Sequence, residues 1–200
     1  MIEGRKSSYV ELLKESGVKS DTAKKDVEKA IEALIWYSGL ADKWEQLIGN
    51  LNPVSGSYLN ISEQEPLVVR FVFPRDSLSL HGLVLSVLPP LTVGCSVIML
   101  NNGAGLLSVM LSEDVHNSDM PPGAWNILTG EYDGIIEDIS KHVEIRGIAV
   151  ASDFNNDDYK KIQESGSESV KRTYRVNESM DIMSLIPFLE TKTVWHPKGK

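Results

Sequence analysis

One thiol, four imidazoles and one glycine-rich turn are the groups in this sequence with an evident capacity for chemistry. Cys95 is the only cysteine, so the sequence excludes an internal disulfide and a zinc site built from cysteines. A cysteine thiolate can attack a carbonyl carbon. Cys95, however, lies at the mouth of a predicted buried strand, where a small buried hydrophobic residue is the better interpretation.

The histidines and the glycine-rich turn do not form a recognisable site. The histidines are scattered, and none is paired at the spacing by which two ligands share one face of a helix. The turn at residues 101–105 lacks the lysine of a P-loop and the third glycine of a dinucleotide-binding turn. Residues 153–158 are acidic but lack the ligand spacing of a calcium loop. We therefore expect no metal site; the histidines are His81, His116, His142 and His196.

Length and charge limit the function classes. The 200 residues suffice for one domain with a sizeable core, and the formal net charge of -8 argues against nucleic acid as a partner. Residues 81–100 are almost uncharged and of membrane-spanning length, but Pro89, Pro90 and Gly94 interrupt them. A helix that breaks at the prolines, followed by a buried strand, explains this segment better than a membrane span. The single cysteine fits the reducing cytoplasm.

Segments with helical and strand-like patterns alternate along the sequence. The capping box of Ser8 and Glu11 predicts the start of a short helix, and a long helix with one apolar face follows at residues 21–48. Residues 57–62 are expected to form an extended arm, and residues 191–195 alternate like an edge strand. Alternation of helices and strands predicts a parallel sheet with helices on both faces. The predicted strands are residues 67–73, 96–100, 125–128, 145–151 and 172–176, and the helices between them are residues 78–88, 106–115, 135–140 and 157–164.

Five motifs, in this order, resemble those of aldehyde dehydrogenases. Each motif is weakly specific alone, whereas their common order from about residue 35 to residue 194 is a strong signal. The first is the run Tyr37 to Lys43 on the long helix. The next two are Glu65-Pro66-Leu67 at the start of the first Rossmann strand, and Pro89 and Leu91 with Gly94 before the second strand. The last two are Pro122-Gly123 with Asn126 and Gly130, and Glu190 to Val194, which resembles the C-terminal oligomerisation strand.

The resemblance implies an α/β fold with a Rossmann-like parallel sheet, N-terminal helices and a C-terminal oligomerisation-type edge strand. The family's large catalytic domain would be absent, because only residues 179–188 stand in its place. The sequence is most similar to the truncated, cysteine-less C-terminal unit of a family 16 aldehyde dehydrogenase. Residues 1–6 contain a protease recognition sequence and are interpreted as an engineered scar or a fragment edge. The other divisions are residues 7–64 (helices and arm), 65–178 (Rossmann-like domain) and 179–200 (tail).

The resemblance also places this chain's residues at the family's catalytic positions. The oxyanion-stabilising asparagine follows a Pro-Trp pair in the family, whereas here Pro74 is followed by Arg75 and Asp76. An aspartate would repel an oxyanion. The general base corresponds to Val176, which cannot accept a proton. We therefore expect no catalysis by this chain alone.

At the positions that hold NAD in the family, this chain also carries residues that lack the required groups. Leu100 replaces the lysine that binds the adenosine ribose, and Gly103 replaces a glutamate. The phosphate-approaching turn corresponds to residues 150–153, where the Cβ of Ser152 crowds the backbone and Asp153 opposes a phosphate. With Pro74, these residues form a degenerate site, and we expect no bound cofactor.

The resemblance leaves two functions open. The first is a non-catalytic structural, oligomerisation or protein-interaction module that pairs with itself or with another aldehyde dehydrogenase domain through edge strands. The second is a regulatory or weakly nucleotide-binding part of an aldehyde dehydrogenase that oxidises aldehydes with NAD in a unit outside this chain. The interface candidates are Tyr58, Ile61, Thr191, Thr193 and Trp195.

Overall fold

The computed structural model describes residues 1–75, 78–103, 105–176 and 179–199, apart from the side chain of Asn50. The helices are α1 (Lys6–Glu15), α2 (Ser20–Leu40), α3 (Trp44–Ile48), α4 (Leu80–Thr92), α5 (Gly105–His116), α6 (Ile136–Lys141) and α7 (Asn156–Gly166). The strands are β1 (Asn50–Asn52), β2 (Tyr58–Pro66), β3 (Val69–Phe73), β4 (Ser96–Asn101), β5 (Trp125–Thr129), β6 (Gly147–Val150), β7 (Arg172–Arg175) and β8 (Leu189–Pro197).

The predicted Rossmann-like parallel sheet is confirmed. Five strands pair in the order β5-β4-β3-β6-β7, and every pair is parallel. The chain begins this sheet at the central strand β3, builds outward to β5, and then returns to place β6 on the other side of β3. The strand order therefore reverses between β3 and β6, and this is the point where open α/β sheets usually bind ligands.

Two hydrophobic cores cover the two faces of the parallel sheet. In the first core, Val72 and Met99 pack against α1, α2, α4 and α5. In the second core, Phe71, Phe73 and Leu100 pack against α6 and α7. Successive side chains of a strand point to opposite faces, so continuous apolar runs are needed to fill both cores. This requirement explains why β3 and β4 carry almost no charged residues.

Two helix boundaries differ from the prediction. The long helix expected at residues 21–48 ends at Leu40, where the Lys43 ammonium donates to the carbonyl of Gly39 at 2.6 Å, and α3 follows separately. Helix α4 does not break at Pro89 and Pro90 but continues to Thr92. Each proline removes one hydrogen bond to the carbonyl four residues earlier, but both rings are buried in the core.

The N-terminal residues have structural contacts that the sequence interpretation did not assign to them. Arg5 binds Asp114 at 2.9 Å and Glu113 at 3.2 Å, both on α5. Helix α1 begins at Lys6, so Ser8 lies inside the helix and does not cap it. The hydroxyl of Tyr9 donates to Asp114 at 2.7 Å and joins α1 to the Rossmann-like unit.

A second sheet contains β1, β2 and β8 in that order, and both of its pairs are antiparallel. The two long strands pair over nine residues each, from Tyr58 opposite Pro197 to Pro66 opposite Leu189. We call this sheet the ribbon. A 3-10 helix at Ile182–Phe188 precedes β8 and packs Leu185 into the first core, which anchors the base of the ribbon.

Candidate functional site

The carboxyl edge of the parallel sheet collects most residues of the expected degenerate cofactor site. Pro74 follows β3, Gly103 lies two residues after β4, and Ser152 and Asp153 follow β6. Parallel strands end at one edge, so residues distant in sequence become neighbours there. Leu100 differs from the others because it lies inside β4, is 4% exposed, and packs in the second core.

Three aromatic rings bridge the ends of β3 and β6, where the strand order reverses. The ring centroid of Phe73 lies 5.3 Å from that of Phe154 and 5.5 Å from that of Tyr132, and Tyr132 and Phe154 are 5.5 Å apart. We call these three residues the aromatic cluster. Sequence reasoning missed it, although Tyr132 lies three residues after the end of β5 and Phe154 four residues after the end of β6. The rings occupy space on the second-core face of the crevice.

The turn after β6 is held by two arginines. Arg175, at the end of β7, donates to the carbonyls of Ser152 at 3.1 Å and Phe154 at 3.0 Å. Arg75 donates to Asp153 at 3.2 Å. Asp153 is predicted to oppose a phosphate, but this ion pair offsets part of its negative charge. The turn predicted to approach a phosphate is thus fixed by protein contacts.

The two described residues considered for catalysis, Cys95 and Val176, lie at different edges of the parallel sheet. Cys95 is at the opposite end of the sheet, 3% exposed, with its sulfur 3.4 Å from the carbonyl oxygen of Leu67. Burial raises the pKa of this thiol, while the neighbouring Arg70 acts in the other direction. Val176 is 5% exposed and packs in the first core. Asp76, the predicted counterpart of the oxyanion donor, lies outside the described residues.

The ribbon carries the interface candidates, and β8 forms one of its two outer edges. The backbone of Lys198 donates to Ser57, and that of Leu67 donates to Phe188, at the two ends of the β2–β8 pair. Hydrogen-bonding direction alternates along an antiparallel strand. The backbone groups that point away from β2 therefore belong to Thr191, Thr193 and Trp195, which are three of the five predicted interface residues.

Four candidates share one face of the ribbon. Trp195 is 58% exposed and packs edge-on against Tyr58, with ring centroids 5.9 Å apart. The hydroxyls of Thr193 and Ser62 lie 3.0 Å apart, and Thr191 donates to Gln64 at 2.9 Å. This face combines a polar row with an exposed aromatic pair.

The fifth candidate, Ile61, lies on the opposite face. Leu51 and Val194 are its direct partners across the neighbouring strands. Leu51 is 69% exposed, Val194 is 53% exposed and Ile61 between them is half-buried, so the three side chains form a partly exposed apolar row. Sequence reasoning missed Leu51 and Val194. The alternation of side chains along β1 and β8 was the sequence signal that could have placed Leu51 and Val194 on the face of Ile61.

Metal binding and membrane insertion each make distinct demands on the described part of the chain. There, no group of three His, Cys, Asp or Glu side chains is close enough to hold a metal ion. None of the helices in those ranges combines the length and the apolar character that crossing a membrane requires.

Comparisons with known proteins relate most of the chain to one family. Residues 1–174 match the model of the aldehyde dehydrogenase family. A putative aldehyde dehydrogenase, DhaS, of Bacillus subtilis is 28% identical over 155 residues, which are 76% of this chain and 30% of the relative. The mitochondrial aldehyde dehydrogenase of Leishmania tarentolae is 30% identical over 130 residues, which are 62% of this chain and 24% of the relative.

Solved structures share the fold at lower identity. PnpE from Pseudomonas sp. WBC-3 superimposes with a TM-score of 0.77 at 20% identity, covering 86% of this chain and 35% of that protein. Betaine aldehyde dehydrogenase from Staphylococcus aureus, solved with NAD+, gives a TM-score of 0.76 at 19% identity, covering 86% and 34% respectively. This chain therefore spans about a third or less of the length of these relatives. It belongs to the aldehyde dehydrogenase family.

Proposed function

We propose that this chain is a non-catalytic member of its family that acts in the cytoplasm as an oligomerisation or protein-interaction module. The open edge of β8 carries this proposal. The backbone groups of Thr191, Thr193 and Trp195 point away from β2, and an unpaired strand edge is a template for another strand. The partner would be a second copy of this chain or another aldehyde dehydrogenase domain.

Exposed apolar side chains on the ribbon support a partner that covers more than the strand edge. The row of Leu51, Ile61 and Val194 lies on one face, and Trp195 stands on the other. Aromatic anchors contribute much of the binding energy of protein interfaces when they become buried. A partner strand beside β8 would bring its own side chains against both faces.

The carboxyl edge supports the non-catalytic part of the proposal. The aromatic cluster fills the second-core side of the crevice, and Leu100 faces that core where the family resemblance places a ribose-binding lysine. The one thiol of the chain, Cys95, is buried at the far end of the sheet. These features favour a chain that keeps the Rossmann-like fold but has lost the NAD-dependent reaction.

Light scattering after size-exclusion chromatography of the Thr193→Pro variant tests this function. Proline removes the outward N–H of residue 193 and is tolerated at a strand edge, so we expect the wild type to be a dimer or larger and Thr193→Pro to be a monomer. Thr193→Val is the matched control, because it also loses the hydroxyl contact with Ser62 but keeps the N–H. A monomeric wild type, or equal masses for wild type and Thr193→Pro with unchanged circular dichroism, would contradict the proposal.

A further inference from the structure

A pocket of about 290 Å³ lies at the amino end of β5, away from the carboxyl edge of the parallel sheet. Helix α2, the last turn of α5 and the loop that leads into β5 form its walls, and residues 1–3 close one side. Among the described residues, neither the ribbon nor the predicted dinucleotide positions contribute to the lining. The volume suits a small molecule.

Most of the lining is apolar. Ile31 and Leu34 form the wall on α2, Val115 and Met120 belong to the opposite wall, and all four are partly buried against the first core. Ile35, in the same lining, is 63% exposed. A hydrocarbon body in this pocket would remove apolar surface from water, which favours binding.

Trp125 brings to this lining a buried donor that lacks an acceptor. The residue is 7% exposed, and within the described part of the chain its indole Nε1 makes no hydrogen bond. An indole N–H can only donate, and a buried tryptophan usually finds an acceptor. The group missing from this site is therefore an acceptor.

The polar side chains of the lining do not supply that acceptor. Asp114 is engaged, because it accepts hydrogen bonds from Tyr9 at 2.7 Å and from Arg5 at 2.9 Å. The Ser118 hydroxyl donates to the carbonyl of residue 115 at 2.7 Å. Glu3 is exposed to solvent. The described lining thus carries two carboxylates and no lysine or arginine, so it favours a neutral ligand over an anion.

A ligand reaches the indole nitrogen only if a side chain moves, because the nitrogen has almost no open surface. Met120 lines the pocket together with Trp125. A methionine side chain is unbranched and flexible, so it adapts to the shape of its neighbours. We expect Met120 to change position when the pocket is occupied, and its methyl group can therefore report binding.

We propose that this pocket binds a small neutral molecule with a hydrocarbon body and one acceptor oxygen, such as an aliphatic ketone or ester. The oxygen accepts from Trp125 Nε1, and the hydrocarbon lies against Leu34, Val115 and Met120. The site goes beyond the interaction module, since it uses neither the ribbon nor the carboxyl edge. Binding there needs no reaction and no cofactor.

Titration of the full chain with 2-hexanone and with hexylamine, followed by nuclear magnetic resonance, tests the proposal. The two probes carry similar hydrocarbon chains, but at neutral pH hexylamine is an ammonium without an acceptor. We expect 2-hexanone at millimolar concentration to shift the indole N–H signal of Trp125 and the methyl signal of Met120, and to leave the exposed indole of Trp195 unchanged. Hexylamine should shift neither signal. Trp125→Phe and Met120→Leu assign the two signals.

The Trp125→Phe variant separates the hydrogen bond from the apolar contacts. It keeps an aromatic ring but loses the N–H, so the 2-hexanone affinity read from the Met120 methyl signal should fall about two- to tenfold. Trp36→Phe is the matched control, because Trp36 lies on α2 outside the lining, and it should bind as the wild type does.

Three results would overturn the proposal. They are no shift of either signal in a folded wild type, equal shifts with hexylamine, and an affinity in Trp125→Phe equal to that of the wild type or of Trp36→Phe. The comparison of the two probes on the wild type decides the question even where Trp125→Phe does not fold.

Discussion

The contact between Asp114 and Tyr9 should contribute strongly to the stability of this chain. Asp114 is 3% exposed and accepts hydrogen bonds from the Tyr9 hydroxyl at 2.7 Å and from Arg5 at 2.9 Å. Asp114→Ala leaves the buried Tyr9 hydroxyl without a partner, which costs about 1–3 kcal/mol. For a chain of this size, a loss near 2 kcal/mol lowers the melting temperature by about 4–8 °C.

A double-mutant cycle separates this contact from general damage. Tyr9→Phe leaves a buried carboxylate with fewer donors, so it should also destabilise the chain. Replacing both partners removes both orphaned groups, so the double variant should be more stable than the sum of the single losses predicts, by about 0.5–3 kcal/mol. Urea unfolding followed by circular dichroism gives the four free energies.

Glu113→Ala is the control for this cycle. Glu113 also binds Arg5 but is 56% exposed, and surface substitutions usually change stability by less than about 0.5 kcal/mol. The reasoning is refuted if Asp114→Ala is no more destabilising than Glu113→Ala. Strictly additive losses in the cycle would also refute it, because they would mean that the two buried groups do not interact.

Three further predictions concern the core, a helix cap and pH. Gly147→Ala should destabilise the chain by about 1–3 kcal/mol or more in urea unfolding, because a Cβ there would overlap the buried guanidinium of Arg70. Asn155→Ala should cost about 1 kcal/mol in the same assay, whereas Asn155→Asp should be nearly neutral, since the side chain caps α7 through two backbone N–H groups. Burial raises the pKa of Tyr9 and of Tyr37, so above about pH 10 the unfolded state loses protons that the folded state keeps. The free energy of unfolding should therefore fall as the pH rises beyond that value, and less steeply in Tyr9→Phe; an equal slope in both proteins would contradict this prediction.

The parallel sheet was predictable because its signals are local. The continuous apolar runs at β3 and β4 indicate strands whose two faces are both buried. The helical patterns between the strands indicate crossover connections, which join parallel strands. The path of α4 through Pro89 and Pro90 was not predictable in the same way. Local preference favours a break at proline, and burial of both rings in the tertiary core overrides it.

The two candidate surfaces were predictable to different degrees. The period of two along β8 predicts which of its residues share a face, as Thr191, Thr193 and Trp195 do. Their role at an interface rests on the family resemblance and stays a prediction. The aromatic cluster depends on contacts between Phe73, Tyr132 and Phe154, which lie far apart in sequence. No spacing rule predicts such contacts, because they depend on how the loops after three different strands fold together.

Calorimetric titration of the purified chain with NAD tests the central claim that the framework is kept while the dinucleotide site is filled. The account predicts no binding heat at millimolar NAD, because the aromatic cluster occupies the second-core side of the crevice and Leu100 offers no hydrogen bond to a ribose. Light scattering on the same sample should show a dimer or a larger assembly. Binding of NAD at micromolar concentration would contradict the account.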